Sequence, residues 1–460
     1  MTDRNGNVAI APHISKEEFA QRRQRLLAQM EPNSVAVIKA ADLLIRNRDS
    51  EFAFRQDSDF WYLTGFNEPE AVAVFLPERE AGQYILFCQD KDPALERWTG
   101  IRAGTQGAVR DYGAAEAYPI ATLDEKILEL LAGRTTVYYR MGVDTAFDQR
   151  VMGWLNGLRK QGRDGVVPPT TFRVLDQLIH EMRLFKSPQE LAMMRHAAHT
   201  AARAHTRAMQ LCKPGLYEFE IEAELLREFR RDGMEPAYTS IVGGGENACI
   251  LHYVSNRCEL KSGDLLLIDA GGEHDGYASD ITRTFPVNGR FTAEQRQLYQ
   301  VVLNAQKAAI AAVRPGNSWD APHQASLREL VSGLLSLGLL QGELEALIKD
   351  PQASKAGEKV PEAMYKQFFM HKTGHWLGLD VHDVGDYKQE GEWRPLKPGM
   401  VLTVEPGLYV SPADNVDAKW WHIGIRIEDD VLVTENGCEI LTHGVVKEID
   451  EIERLMSASH

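Results

Sequence analysis

Leu265-Leu266-Leu267-Ile268 is apolar at every position, so a strand made from it has no face to offer water. Such a strand has to sit inside a sheet covered on both sides, and the rest of the chain must supply the cover. The run ends at Asp269, followed by Gly271 and Gly272. Eleven residues after Asp269 stands Asp280, at the head of a second run with strand composition (Ile281, Thr282, Thr284, Phe285, Val287). The Gly, His and Asp residues between them are turn chemistry, so the two runs read as an antiparallel pair carrying one carboxylate each. A lone carboxylate at a strand end usually caps it or faces solvent. Two on paired strands direct attention downstream, because a hard or borderline cation wants further carboxylates and an imidazole.

Three downstream stretches answer that search. His371 to His382 carries three histidines, His371, His375 and His382. The first two have the i, i+4 spacing, but Lys372 stands where a zincin motif needs Glu, and Gly374 and Gly378 argue against a simple helix. Pro398 to Gly407 reads as a buried strand ending in Glu405. Ile423-Gly424-Ile425-Arg426-Ile427-Glu428 alternates strictly, so the three Ile share one face and Gly424, Arg426 and Glu428 the other. An Ile face packs on a core, whereas a face of Gly, Arg and Glu has to meet water, a partner or a metal. Asp269, Asp280, His375, Glu405 and Glu428 thus form a set of four carboxylates and one imidazole. If they converge, the carboxylates drive one another's pKa upward unless cations compensate them. Two divalent cations balance four negative charges, and oxygen-rich ligation without Cys favours Mn²⁺, Co²⁺ or Zn²⁺. A pair of ions roughly 3.5 Å apart can hold a nucleophilic hydroxide and polarise a carbonyl. Spacing alone leaves the convergence open.

The 460 residues favour two domains over one. A formal charge of -15 excludes the basic footprint that nucleic acid requires. The five cysteines are scattered with no CxxC pair, which suits a reducing compartment. No apolar core of a secretory leader is visible before His13, and the longest apolar run, near Leu330–Leu340, is too short to span a membrane. The expectation is a cytoplasmic protein.

The first third reads as a separate α/β unit. A capping-box-like start at Ser15-Lys16-Glu17-Glu18 precedes a helical pattern over Phe19–Met30. Val35–Ile38, Ala71–Leu76, Tyr84–Cys88 and Thr136–Tyr139 read as strands, and Ala121–Leu131 and Phe147–Leu158 as helices. Arg46–Asp49 and Phe54–Trp61 have little periodicity and read as a solvated loop anchored by aromatics, or as an interface or rim of a site. A helical pattern resumes over Phe172–Met182, and Ser187-Pro188-Gln189-Glu190 starts a long Ala- and Met-rich helix. The boundary falls there, with domains 1–182 and 183–460. Glu96–Arg102 sets Trp98 between charges, either as a local packing residue or as a contact projecting from the surface.

The motifs IDAGGEHDGYASDITRTFPVNG, HWLGLDVHDVG, LTVEPGLYV and GIRIEDD, in this order and preceded by NACILHY, resemble those of the pita-bread metallopeptidases of family M24, and within them the aminopeptidase P branch. RNRDSEFAFRQDSDFWYLTGFNEPEAV looks like that branch's N-terminal domain, so the resemblance covers nearly the whole chain. It implies a creatinase-like α/β N-terminal domain and a C-terminal α/β domain whose curved antiparallel sheet cradles two metal ions, Mn²⁺ first, with Zn²⁺ or Co²⁺ as alternatives. By resemblance Asp269 chelates one ion, Asp280 and Glu428 bridge, and His375 and Glu405 hold the other. Glu405 also carries the proton of the bridging hydroxide. His252, His371 and His382 match positions that contact the substrate or its tetrahedral intermediate, and Tyr409 and Arg426 match supporting positions. Lys372-Thr373-Gly374 departs from the Gly-Leu-Ser or Gly-Leu-Gly of relatives and puts a lysine beside the site. The implied substrates are peptides with proline in second place, cut by a homo-oligomer, dimer or tetramer, with Trp98 reaching a neighbouring subunit's cleft.

Other readings make separable predictions. A prolidase shares the five ligands and cuts only Xaa-Pro dipeptides. A creatinase-like amidinohydrolase replaces the ligands, and methionine aminopeptidases lack so large an N-terminal domain. A metal-free pita-bread binding module typically loses ligands, and here all are retained.

Overall fold

In a computed structural model the chain is described for residues 11–348 and 364–458. It divides into two compact units, one spanning Ile14–Arg183 and the other running from Leu184 onward and taking in the segment that ends at His13.

The unit Ile14–Arg183 is built on a six-stranded mixed sheet. Its spatial order is Glu116–Pro119, Tyr84–Cys88, Val72–Phe75, Ser34–Lys39, Thr136–Tyr139, Thr171–Val174. The two pairings next to Val72–Phe75 are antiparallel and the other three parallel. Alternate residues Val35, Val37, Val72, Val74, Ile85, Phe87 and Val137 pack under Leu123, Ile127 and Leu131 of one helix and Phe147, Val151, Trp154 and Leu158 of the next. Two expectations fail here. Thr171–Val174 is an edge strand, and the helix begins only at Asp176, after it. Phe54–Trp61 is not a loop throughout: Asp57 accepts from the Phe60 amide and starts a helix over Ser58–Thr64 that buries Phe60, Tyr62 and Leu63. Arg22 and Arg23, both buried, donate to the carbonyls of Tyr62 and Leu63 and so satisfy the open end of that helix. The aromatics are core, and the charges before them are capping and ion-pairing groups. Arg46–Asp49 lies in an exposed hairpin, Ile45–Asn47 with Ser50–Glu51.

The unit from Leu184 is where the carboxylates sit. Pro188–Leu211 starts with both halves of the capping box, Ser187 accepting from the Glu190 amide and Glu190 from that of Ser187. Leu265–Asp269 is buried and central, flanked by antiparallel partners Ile241–Gly244 and Thr282–Pro286. Asp269 lies opposite Thr282, which settles the register between the two acidic runs. The segment between them is more than a turn. Gly272–His274 and Tyr277–Ala278 form a small hairpin of their own, paired to Glu235–Pro236. Further antiparallel ladders join Val401–Val404 to Asp429–Val433 and Cys438–Ile440, and Gly407–Val410 to Ile423–Arg426. Ile423, Ile425 and Ile427 enter the largest apolar cluster, with helices Ala293–Ala312 and Ala321–Ser336 as its outer wall.

Candidate metal centre

Two local devices bring the downstream ligands to the acidic strand pair. The first is the alternation at Ile423–Glu428. With its Ile face held by the core, Arg426 and Glu428 turn to the opposite side, and both are almost wholly buried there. The Glu428 amide donates to the Thr282 carbonyl at 3.1 Å, which docks Glu428 beside the start of strand Thr282–Pro286. The second is an unrecognised strand-like pairing. The amides of Leu377, Thr403 and Glu405 donate to the carbonyls of Val401, His375 and Thr373 at 3.1, 2.9 and 2.8 Å. The histidine segment therefore runs along Val401–Glu405 as an extra edge and is not a helix, as Gly374 and Gly378 suggest. Gly374 permits the approach, because a Cβ there would lie 2.1 Å from the Thr403 carbonyl oxygen.

The five residues meet. Asp280, His375 and Glu428 each bring one potential ligand atom, all within 4.8 Å of one another. His375 Nε2 lies 3.5 Å from Asp280 Oδ2 and 3.6 Å from Glu405 Oε1. Asp269 is tied in by Tyr238, whose phenol oxygen lies 2.6 Å from Asp269 Oδ1 and in close contact with Asp280 Oδ1. Each side chain is fixed from behind. Arg426 donates to Asp269 Oδ2 at 2.6 Å and to the Tyr409 oxygen at 2.9 Å. Thr282 donates to Glu428 Oε2 at 2.6 Å, Thr403 donates to Glu405 Oε1 at 3.3 Å, and the Asp280 amide donates to Asp430 Oδ2 at 3.0 Å.

The imidazoles divide into two kinds. His375 Nδ1 lies 2.9 Å from the Trp376 carbonyl oxygen and donates to it, which leaves Nε2 facing the carboxylates. In His371 both nitrogens are occupied, Nδ1 at 2.7 Å from the Lys372 carbonyl and Nε2 at 2.9 Å from the Tyr409 hydroxyl. Burial, then Arg426, pushes His371 down to about 4, so it is a neutral link between Tyr409 and the loop. The His382 ring stands edge-on to that of His375, with centroids 4.2 Å apart. Its pKa is lowered by burial and by the facing His375 and His252. His252 is exposed. Trp98 belongs to the unit Ile14–Arg183, at the end of helix Pro93–Thr99, and is 88% exposed. That exposure removes the local-packing reading of Trp98.

Electrostatics test whether cations fit. Burial lifts Glu428 well above the ordinary carboxylate range, and Asp280, Glu405 and Asp269 lift it further. Burial raises Glu405 to about 7 against the pull of His375 and Arg426. Asp280 is raised by burial and by Asp269. Burial would lower His375, but Asp280 and Glu405 overcome it and hold the imidazole at about 9. A site whose acids take up protons, and whose one ligand-type histidine is held charged, lacks positive charge. Oxygen donors with one imidazole and no Cys are the set that hard or borderline divalent cations select. The residues fit.

Several contributors are missed in the sequence. Tyr238 stands in a stretch, Pro236–Ser240, with no periodic or motif signal. Arg283 looks like one polar residue in a strand, yet it is fully buried and donates to Asp429 Oδ1 at 2.8 Å and to the Thr282 carbonyl at 2.9 Å. Asp429 in turn accepts from Lys447, Gln306 and Thr442. Burial would raise its carboxyl, but Arg283 and Lys447 hold it at about 2. An aspartate doubled beside another, Asp429-Asp430 after Glu428, is the available sequence signal.

Comparison with known proteins bears on the family and the fold. The family model of metallopeptidase family M24 matches residues 192–435, and that of the aminopeptidase P N-terminal domain matches residues 19–138. The chain is 47% identical over 448 residues to the Xaa-Pro aminopeptidase of Escherichia coli (strain K12), covering 97% of this chain and 99% of that protein. A solved aminopeptidase from Pseudomonas aeruginosa superposes with a TM-score of 0.93 at 53% identity, over 97% of this chain and 99% of the other. A zinc-substituted Escherichia coli aminopeptidase P in complex with product gives 0.92 at 47% identity, with the same coverage of both chains.

Proposed function

We infer the reaction from one premise: the chain belongs to metallopeptidase family M24, with an aminopeptidase P N-terminal domain ahead of a pita-bread catalytic domain. It is a metal-dependent Xaa-Pro aminopeptidase, which removes an N-terminal residue that precedes proline. The observation that carries the catalytic assignment is the meeting of Asp269, Asp280, His375, Glu405 and Glu428 around one space. In our reading these five hold two divalent cations, with Mn²⁺ the ion an oxygen-rich set with one imidazole suits. When bound, such ions supply Lewis acidity toward the peptide carbonyl and an activated water.

The chain's own residues do the rest. Glu405 receives and returns the proton of the attacking water at its carboxylate, held by Thr403. His252 and His382 offer ring nitrogens to the peptide carbonyl, and His371 acts through Tyr409, keeping that hydroxyl and Arg426 in place. Trp98 contributes a large apolar face to the cleft of a neighbouring subunit in a homo-oligomer. The five cysteines are scattered with no CxxC pair, which supports a cytoplasmic setting. Among the described residues no helix is long and apolar enough to cross a membrane.

The test is a peptide panel on chelated protein with Mn²⁺ added back. Arg-Pro-Pro is cut and the dipeptide Gly-Pro is not; the reverse would make the protein a prolidase. Asp280→Ala or Glu428→Ala lowers turnover by on the order of 10³-fold or more while the fold persists, as judged by circular dichroism. Near-normal turnover of either variant in excess Mn²⁺ refutes the ligand assignment.

A further inference from the structure

A cavity of about 430 Å³ is lined by His371 and by none of the five carboxylate and imidazole ligands. Lys366, Lys372 and Lys388 stand around its exposed mouth, Trp393 forms one wall, and Asp320 is the single acidic residue among the described lining. Lys388 and Trp393 are directly opposite on a two-stranded hairpin, Lys388–Gln389 with Glu392–Trp393. The ammonium of Lys388 lies 4.4 Å from the centre of the Trp393 ring, and that of Lys372 5.5 Å from the same ring. One indole therefore gathers two cations. Asp320 meets Lys372 at 3.4 Å, and Lys366 and Lys388 form no ion pair with any described carboxylate. Three ammonium groups against one carboxylate make a local positive field in a chain whose formal charge is -15. An anion entering the cavity meets this positive lining.

The cavity shares a wall with the groups that brace the carboxylates. Its inner wall, His371, is hydrogen-bonded to Tyr409, and Tyr409 to the Arg426 that holds Asp269. Three residues after Lys372 comes His375. A peptide residue spans about 3.3–3.6 Å when extended, so groups one or two residues beyond a proline at the centre extend past the first ring of side chains around it. The volume lies within the range of ligand pockets.

We propose that the cavity between Lys366, Lys372, Lys388 and Trp393 is a downstream subsite that binds a carboxylate of the departing peptide, giving the enzyme a preference for anionic groups shortly after the proline. This rests on the Xaa-Pro aminopeptidase reading. The carboxylate has two sources, the C-terminus of a short peptide or an acidic side chain, and both use the same chemistry.

The experiment compares Ala-Pro-Leu, its C-terminal amide, and Ala-Pro-Glu-amide as substrates. The wild type favours the free tripeptide over Ala-Pro-Leu-amide by about fivefold in kcat/KM, through KM, the scale of a partly exposed ion pair. The ratio shrinks in Lys372→Met and in Lys388→Met, falls to near one in the double variant, and shrinks in high salt. A regained advantage for Ala-Pro-Glu-amide shows that any downstream carboxylate is read; its absence restricts the subsite to the C-terminus. A wild-type ratio of one for both anionic peptides, or a ratio unchanged in the double variant, overturns the proposal. Failure to cut all three peptides refutes the Xaa-Pro reading instead. Calorimetric binding of Pro-Leu against Pro-Leu-amide to metal-free protein then decides the subsite, and equal affinities overturn it.

Discussion

At Tyr238 one phenol oxygen is shared by carboxylates from Asp269 and Asp280, which stand at the facing ends of two strands. Burial, and then these two acids, raise the Tyr238 pKa well above its ordinary value, so the hydroxyl keeps its proton and remains a donor. That donor orients oxygens that repulsion would otherwise turn apart. Tyr238→Phe removes one oxygen and little volume. Metal affinity or activity should fall about 10–100-fold, the usual effect of losing a partner behind a metal ligand. Metal titration followed by assay checks this, and unchanged affinity and turnover would refute the orienting role. The ligands themselves were legible because carboxylates at strand ends and the Gly-Arg-Glu face carry a chemical demand in the sequence. Tyr238, Arg283 and Thr282 were not, because a polar residue with satisfied partners looks the same in sequence as one facing solvent.

The pairing of Thr373–Leu377 with Val401–Glu405 is the element that sets His375 beside Glu405. Gly374→Ala puts a Cβ against a backbone oxygen, so the two segments have to part. Turnover should drop by about 10²-fold, as a misplacement near 1 Å costs, with circular dichroism unchanged; wild-type activity would show that the edge yields freely. Elements with their own period were readable in advance, Leu265–Asp269 from its apolar run and Pro188–Leu211 from its capping box. Elements defined by partners were not. Thr171–Val174 is largely exposed and is a strand only because Thr136–Tyr139 lies next to it. Ser58–Thr64 is short, and its charged preface hid the aromatics that anchor it. The histidine loop has neither period, and its order comes from the Val401–Val404 edge.

Each of the two units has its own core and its own exposure to acid. In the first, Asp59 is 2% exposed and meets Arg183 at 2.6 Å and His180 at 3.3 Å. Burial would raise its carboxyl, but His180 and Arg183 reverse that and hold it far below the ordinary range. A depressed acid contributes stability that is complete above its unfolded pKa of about 3.9 and is lost as pH falls toward the folded value. Asp57 is raised by burial and by Asp59, which gives the opposite slope, so the informative quantity is a difference. Asp59→Asn should destabilise this unit by about 3–5 kcal/mol near neutrality, by less below pH 4, in urea melts at both pH values. A deficit independent of pH would assign the loss to packing. At the scale of the assembly, Trp98→Ala should raise KM for tripeptides about fivefold or more without changing bound metal. A strictly monomeric protein by light scattering would end its cross-subunit role. The chain's order of synthesis adds one more consequence. His274 donates to the carbonyl of Pro12, a partner 262 residues earlier. At about 5–20 residues per second, the ribosome delivers His274 on the order of ten seconds to a minute after Pro12. By then all of Ile14–Arg183 has emerged. The first unit can therefore finish folding while Pro12 waits, and Pro12 finds its partner in the catalytic unit only once the acidic strand pair is being made.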